Sequence, residues 1–228
     1  MIICSALRED PLIYDLSERG VPFVLAIREI DQNPEERSID FIGVDDLRGS
    51  AMAIEHLIGL GHERIALITG PSETSTGQYR FQGAVSAMES HGLVPEDRLI
   101  FRGDYSRESG YEQGKRILSL KNRPTAIFSA NDIMAIGVLD AISEQGLETP
   151  EDMALVGYDD IEMAGLPGVN LTTISHQMKI LGHLAVDRLL ERIATKTEHV
   201  SKRILIDPIL IIRKTCGGSD PPAGQETS

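Results

Sequence analysis

The sequence predicts an α/β fold built on a doubly wound parallel sheet. Between residues 65 and 160, short apolar runs of strand length alternate with segments whose apolar residues recur every three or four positions. This alternation indicates βαβ units, and therefore a parallel sheet with helices on both faces. With 228 residues and 41% hydrophobic content, the chain can form one large or two modest domains around an aliphatic core.

The N-terminal quarter is predicted to contain short elements separated by polar turns. The pattern predicts strands at 2–5 and 21–27, helices at 11–19 and 47–60, a polar loop at 29–38 and an extended segment at 40–44. Gly20 and Gly61 follow the two helices, where glycine commonly ends a helix. Because Met1 leads directly into an apolar strand, we expect the chain to begin within a fold rather than at its natural start.

The remaining elements follow a regular order along the chain. Strands are predicted at 65–69, 99–102, 125–130, 153–157 and 171–175, and helices near 79–91, 109–120, 133–145 and from about 178. Residues 203–213 are expected to be extended, with Pro208 indicating an edge strand or a bulge because proline lacks an N–H. The tail, residues 216–228, is rich in polar residues, Gly and Pro, and is expected to be disordered.

Composition excludes several classes of protein. The formal charge of −13 argues against direct binding to a nucleic-acid backbone, which depends on Lys and Arg. Two cysteines near opposite ends suggest neither a disulfide framework nor a metal site. No apolar segment reaches the length of a membrane span, and no leader pattern is present. We therefore expect a cytoplasmic protein with no membrane partner, no metal and no cofactor.

Polar residues follow four successive strands of the central region. Because the carboxyl ends of parallel strands lie on one edge of a sheet, these side chains are expected to converge. Carboxylates, amides, guanidinium groups and an aromatic ring together suit a small polar ligand. The residues are Ser72 and Arg80, then Asp104, Tyr105 and Ser106, then Asn131 and Asp132, and finally Asp159 and Asp160.

Each of these residues also has a plain structural explanation. Asn131 or Asp132 could cap the helix that follows, and Asp159 could belong to a turn. Tyr105 could lie at a rim, and Arg80 could be a solvated helix residue. Only the convergence of four loops favours a ligand site.

Motifs typical of enzymes are incomplete. The sequence GLGHER (59–64) begins like a dinucleotide-binding fingerprint but precedes a strand instead of following one. The glycine-bounded segment 70–77 is followed by Gln78, where a phosphate-binding loop requires Lys. No G-x-S-x-G elbow is present, and the six histidines show no metal spacing. We therefore predict that the protein is not an enzyme.

Several phrases of the sequence are characteristic of one family. They are EHLIGLGHERIALITGP (55–71), YRFQGAVSAM (79–88), RPTAIFSANDIMAIGVLDA (123–141), ALVGYDDIE (154–162) and LTTISHQ (171–177). With them, the chain resembles the effector-binding core of LacI/GalR-type transcription regulators, a periplasmic-binding-protein-like type I fold. The resemblance implies two lobes joined by three crossovers, near 41–46, 172–177 and 201–206. Residues 1–45 and 176–202 would form a partial N-terminal lobe, and residues 46–175 and 203–215 the C-terminal lobe.

The resemblance also implies a ligand site between the lobes, for a sugar, a sugar phosphate or a purine. Matched motif by motif, the effector contacts fall on Arg80, Tyr105, Asn131, Asp159, His176 and, from the first lobe, Ser5. Many members carry an acidic residue where this chain has Ile27, followed by Arg28, so the identity of the ligand is open.

The resemblance further implies that operator DNA is contacted through a helix-turn-helix headpiece, which these residues lack, and that the intact protein is a homodimer. The first lobe is expected to be incomplete, with an unpaired apolar edge on its sheet. The leading interpretation is therefore the effector-sensing core of a transcription regulator. The alternatives are a solute-binding protein of a transport system and an enzyme of doubly wound fold.

Overall fold

The computed structural model describes residues 1–31, 39–194 and 200–218, and it confirms the α/β class. Its strands are β1 (Ile2–Ile3), β2 (Val24–Ala26), β3 (Phe41–Val44), β4 (Ile65–Thr69), β5 (Ile100–Arg102), β6 (Ala126–Ser129), β7 (Ala154–Asp159), β8 (Thr172–Ser175), β9 (Arg203–Ile206) and β10 (Ile209–Ile211). Its helices are α1 (Pro11–Glu18), α2 (Asp46–Gly59), α3 (Ser75–Ser90), α4 (Arg107–Leu118), α5 (Asp132–Glu144) and α6 (Met178–Ala194). No helix of these residues is long and apolar enough to cross a membrane.

The larger sheet has the order β10-β8-β7-β6-β4-β5, and its strands are parallel except for the antiparallel edge strand β10. Helices cover both faces, as predicted. On one face Ile68 packs with Val138 of α5, and on the other Leu67 packs with Ile54 of α2. Both faces of the central strands are thus buried, which explains why those strands read as continuous apolar runs.

The smaller sheet has the order β1-β2-β3-β9, with all strands parallel. Phe23 and Leu25 pack beside α1 on one face, while Val24 and Ile42 pack against Leu181 of α6 on the other. Only two strands were obvious from sequence, because β3 and β9 were assigned to crossovers. Within the described residues, β1 pairs with β2 alone and leaves its other edge open.

The chain passes between the two sheets at three places, namely Asp45, His176–Gln177 and Asp207–Pro208. The expected division at residue 203 placed β9 in the C-terminal lobe. In the structure, however, β9 pairs with β3 of the smaller sheet. Pro208 has no N–H for a ladder, so the extended run breaks there and its two halves join different sheets.

The C-terminal residues also differ from expectation. Cys216, the first residue of the predicted disordered tail, is buried at the end of a short 3₁₀ turn. Its neighbour Thr215 donates a hydrogen bond to the Leu155 carbonyl at 2.8 Å. Cys216 and its neighbours to residue 218 are thus part of the fold, while residues 219–228 of the predicted tail and 32–38 of the predicted loop lie outside the described residues.

Helix α3 begins at Ser75, four residues before the predicted start at Tyr79. The side chain of Thr74 caps it by accepting a hydrogen bond from the Gly77 N–H at 3.1 Å. Ser, Thr and Gly are weak helix formers, so periodicity did not reveal this first turn. The earlier start places Thr76 and Arg80 one turn apart, on the same face of the helix.

Candidate ligand-binding cleft

A cavity of about 300 Å³ lies between the two lobes, at the carboxyl ends of the strands of the larger sheet. It contains five of the six residues predicted to contact a ligand. The lining residues are Ile27, Arg28, Thr76, Arg80, Tyr105, Asn131, Asp159, Asp160, Ile161, His176 and Met178. Its volume is at the lower end of the range for small-molecule sites.

Arg80 lies at the base of the cavity, and its side chain is only 3% exposed. Its Nε donates to Asp46 Oδ1 at 2.8 Å, and its Nη1 donates to the Ala130 carbonyl at 2.6 Å and to Asp159 Oδ1 at 2.9 Å. Its Nη2 donates to His176 Nε2 at 2.7 Å. Arg80 is therefore a buried junction between the ends of several elements, and not a solvated helix residue.

The imidazole of His176 is neutral and accepts this bond. Burial and the adjacent Arg80 cation hold the pKa of His176 well below its usual value. The ring of Tyr158 supports both groups, because the Arg80 guanidinium lies 3.9 Å from its centroid and His176 meets it edge-on at 5.3 Å. The 3.3 Å contact between His176 Nε2 and Asp159 Oδ1 is consequently not an ion pair.

Two carboxylates compensate the buried cation. Burial raises the pKa of Asp159 to about 6, although Arg80 favours the ionised form. Burial also raises the pKa of Asp46, again against the opposing effect of Arg80. The side chain of Asp159 remains 24% exposed, whereas that of Asp46 is 6% exposed. Asp159 is thus the carboxylate available to a ligand. Asp46 does not line the cavity and binds the Nε of Arg80.

Asn131 caps α5 and also lines the cavity. Its Oδ1 accepts a hydrogen bond from the Met134 N–H at 2.9 Å, and its Nδ2 donates to the Tyr105 carbonyl at 3.3 Å. The adjacent Asp132 points elsewhere, accepting bonds from the Thr173 hydroxyl at 2.6 Å and the Ile161 N–H at 3.0 Å. Asn131 therefore caps α5, as considered above, and the same side chain also lines the cavity.

Tyr105 forms one side of the cavity. Its hydroxyl lies 3.0 Å from the Thr76 hydroxyl, and the guanidinium of Arg28 lies 5.5 Å from its ring centroid. Gly70 provides the space for this ring, since a Cβ there would lie 2.2 Å from the tyrosine hydroxyl. The aromatic face is thus held in a fixed orientation by its surroundings.

Four lining residues have backbone conformations in the left-handed region. They are Ile27, Tyr105, Asp159 and Asp160, with φ values of 69°, 70°, 112° and 53°. A positive φ is unusual for any residue with a Cβ and costs most for a β-branched one such as Ile27. Strain of this kind concentrates at binding sites, where the surrounding structure maintains it.

Some predicted residues lie elsewhere. Ser5 is exposed and does not line the cavity, so the geometry does not support its predicted ligand contact. Ser72 and Asp104 border a separate depression next to α3. Asp104 accepts a bond from the Ser106 N–H at 2.8 Å, and Ser106 caps α4. Asp104 and Ser106 are polar because their side chains form hydrogen bonds in a turn and at a helix cap.

Sequence reasoning missed Asp46 and Thr76 and did not give Arg28 a role. Asp46 comes directly after the first crossover, and this position in the sequence could have indicated a role at the junction of the lobes. Thr76 lies four residues before Arg80, a spacing that has meaning only once the start of α3 is known. Among the described residues, no cluster of His, Cys, Asp and Glu is arranged to hold a metal ion.

Residues 54–216 match the family of periplasmic binding protein-like domains. The chain is 39% identical over 218 residues to the HTH-type transcriptional repressor PurR of Haemophilus influenzae strain PittEE. That match covers 94% of this chain and 63% of the repressor, so the chain spans less than two thirds of that relative's length.

Solved structures give the same picture. The transcriptional regulator CelR in complex with cellobiose has a TM-score of 0.87 and 30% identity, over 94% of this chain and 64% of that one. A LacI family transcriptional regulator from Enterococcus faecium with bound ribose has a TM-score of 0.78 and 30% identity, over 94% and 78% of the two chains. Both similarities extend across the two lobes and the cavity between them.

Proposed function

Because the chain belongs to the family of periplasmic binding protein-like domains, we propose that it is the effector-sensing core of a LacI/GalR-type transcription regulator. The cleft around Arg80 binds the effector, a sugar or a related small molecule, without chemical turnover. Relatives named as repressors and regulators, and neighbours solved with cellobiose or ribose, support this proposal.

The observation that carries the proposal is the place of the cavity between the lobes. Ile27 and Arg28 follow β2 of the smaller sheet, whereas Tyr105 follows β5 and Asp159 ends β7 of the larger sheet. A ligand that contacts both sides favours one relative arrangement of the lobes. Such a bias is the physical basis of an allosteric response, because a ligand shifts an equilibrium only by its difference in affinity between two states.

The chemistry of the walls suits hydroxylated ligands. Asp159 accepts hydrogen bonds from hydroxyl groups, and the ring of Tyr105 can support an apolar sugar face. Four of the five N–H donors of Arg80 bond to protein groups, so it acts mainly by fixing Asp159 and His176 in position. The response would reach operator DNA through a helix-turn-helix headpiece in a homodimer, since the acidic core itself is unsuited to bind a phosphate backbone.

A thermal-shift screen of sugars, sugar phosphates and purines tests the proposal, followed by titration calorimetry on each ligand that stabilises the chain. Tyr105→Leu is expected to weaken binding roughly tenfold, because the aromatic wall is lost. Tyr111→Leu is the matched control, since Tyr111 packs against the same core but bonds to Glu144 outside the cavity. Equal effects of the two substitutions, or no ligand in the screen, would contradict the proposal.

A further inference from the structure

The guanidinium of Arg28 is the cation of the cleft that no protein group neutralises. Its one close partner is the ring of Tyr105, 5.5 Å from the guanidinium carbon, and within the described part of the chain it makes no ion pair or side-chain hydrogen bond. The residue is half-buried. A half-buried guanidinium carries five donors, and leaving them unpaired beside an aromatic ring is costly unless a ligand or water binds there.

The acids around Arg28 are already engaged. The adjacent Glu29 accepts two bonds from Arg203, at 2.9 and 2.7 Å. Asp160 accepts from Arg213 at 2.7 Å, and Asp159 accepts from Arg80 at 2.9 Å. The Arg28 cation is close enough to favour the ionised form of Asp159, but the two side chains form no ion pair.

The backbone holds Arg28 in this position. Ile27 turns the chain in the left-handed region, and the Arg28 N–H donates to the Ala26 carbonyl at 2.7 Å. The next residue, Glu29, donates its N–H to the Ser75 hydroxyl of α3 at 3.0 Å. The guanidinium is therefore presented to the cavity by a tight turn that is anchored on both sides.

We propose that the effector is a hydroxylated anion, a sugar acid or sugar phosphate, whose charged group binds Arg28 while its hydroxyl groups bind Asp159. This inference rests on the proposed function and specifies the ligand class for that cleft. Guanidinium groups bind carboxylates and phosphates in a two-pronged geometry that neutral hydroxyls do not match. Arg80 is not suited to two-pronged binding of an anion, because four of its five N–H donors already bond to Asp46, Ala130, Asp159 and His176.

The two walls of the cleft carry opposite charges on opposite lobes. Arg28 enters from the smaller lobe, and Asp159 from the larger. An anionic polyol can satisfy both at once and so connect the lobes, whereas a neutral sugar leaves the Arg28 charge uncompensated. The charged group thus contributes to lobe closure as well as to affinity.

The test uses matched ligands that differ in charge. Hexoses and pentoses, each with its terminal phosphate and its aldonic acid, are titrated into the full chain by calorimetry. We expect an anionic member to bind about tenfold or more tightly than its neutral parent, as charge-assisted hydrogen bonds imply. That preference should weaken as salt is added, while binding of the neutral parent should not change.

Arg28→Gln is expected to abolish most of the preference for the anion and its salt dependence. Arg19→Gln is the control, because Arg19 pairs with Asp15 on the exposed surface of α1 and does not line the cleft. An anion preference that survives Arg28→Gln overturns the inference, as does equal binding of charged and neutral ligands.

The outcomes separate this inference from the proposed function. A neutral sugar or a purine that binds without anion preference, but is weakened by Tyr105→Leu, overturns the inference and supports the proposed function. Failure of every ligand to bind overturns both. Comparing the thermal midpoints of the variants without ligand shows whether each has folded.

Discussion

The bond between Arg80 Nε and Asp46 Oδ1, 2.8 Å long, joins α3 to the first residue of α2. The two side chains are 3% and 6% exposed, so neither charge is solvated. Since α2 begins directly after the first crossover, the bond fixes the point where the chain enters the larger lobe. Breaking a buried pair leaves one uncompensated charge, which costs far more than loss of a surface pair.

Arg80→Ala is expected to lower the free energy of unfolding by about 3–5 kcal/mol, because Asp46 remains buried without its partner. Urea denaturation followed by circular dichroism measures the change. Loss of ligand binding should accompany it, since Asp159 and His176 lose the group that orients them.

Arg107→Ala is the control for this prediction. Arg107 makes two hydrogen bonds to Asp140, but its side chain is 64% exposed, and surface pairs contribute little to stability. If both variants lose similar stability, the pair of Arg80 with Asp46 is not the junction described above.

Gly70→Ala is expected to perturb the cleft through Tyr105. A Cβ at residue 70 would lie 2.2 Å from the tyrosine hydroxyl, so the ring must move. The cost should largely disappear when the change is made in Tyr105→Leu, because the clash is then removed. A double-mutant cycle on unfolding free energies should give a coupling of roughly 0.5–3 kcal/mol, and additive effects would contradict this packing.

The strand and helix pattern was predictable because hydrophobic periodicity is a local property. The strand β4, for example, has the predicted bounds, 65–69. The division of residues 203–213 between two sheets was not predictable in the same way, since pairing partners are distant in sequence. Only Pro208 indicated a break, and it did not show which sheet receives each half.

Five of the six predicted site residues line one cavity. They could be predicted because parallel strands bring their carboxyl ends to one edge of the sheet, and because the family motifs marked the same residues. Ser5 does not line the cavity, because it lies in the exposed loop after β1. The positive φ value of Ile27 could not be anticipated, because a β-branched residue disfavours that region. The role of Arg28 depends on which acids are already paired, and that information exists only in the folded chain.

Gly110→Ala is expected to separate α4 from α5. A Cβ there would lie 2.0 Å from the Met134 carbonyl oxygen, a backbone atom that cannot move alone. Overpacking of this kind costs about 1–3 kcal/mol. Gly59→Ala is the matched control, since nothing lies within 4 Å of its Cβ position, and it should be neutral or stabilising by up to about 1 kcal/mol. Chemical denaturation of both variants makes the comparison, and equal losses would contradict the predicted contact.

Asp132 should make stability depend on pH in a recognisable direction. Burial raises its pKa to about 7 in the folded chain, against 3.8 as the ordinary value. The folded state therefore binds more protons than the unfolded state between these values, and stability falls as pH rises through that window. The Thr173 hydroxyl and the Ile161 N–H donate to this carboxyl and lower its pKa, but burial is the larger effect.

Asp132→Asn removes this titration while retaining a group that can bond to both neighbours. From about pH 4.5 to about pH 7.5, the wild type is expected to lose roughly 3 kcal/mol relative to the variant, at about 1.4 kcal/mol for each pH unit below the folded pKa. Urea denaturation of both proteins across this range gives the difference, in which titration of the other groups cancels.

A difference that stays constant would show that Asp132 is ionised throughout, and a difference of opposite sign would show that its charged form is stabilised by the fold. Because Ile161 lines the cavity and its N–H donates to this carboxyl, ligand affinity should change with pH in the wild type more than in the variant.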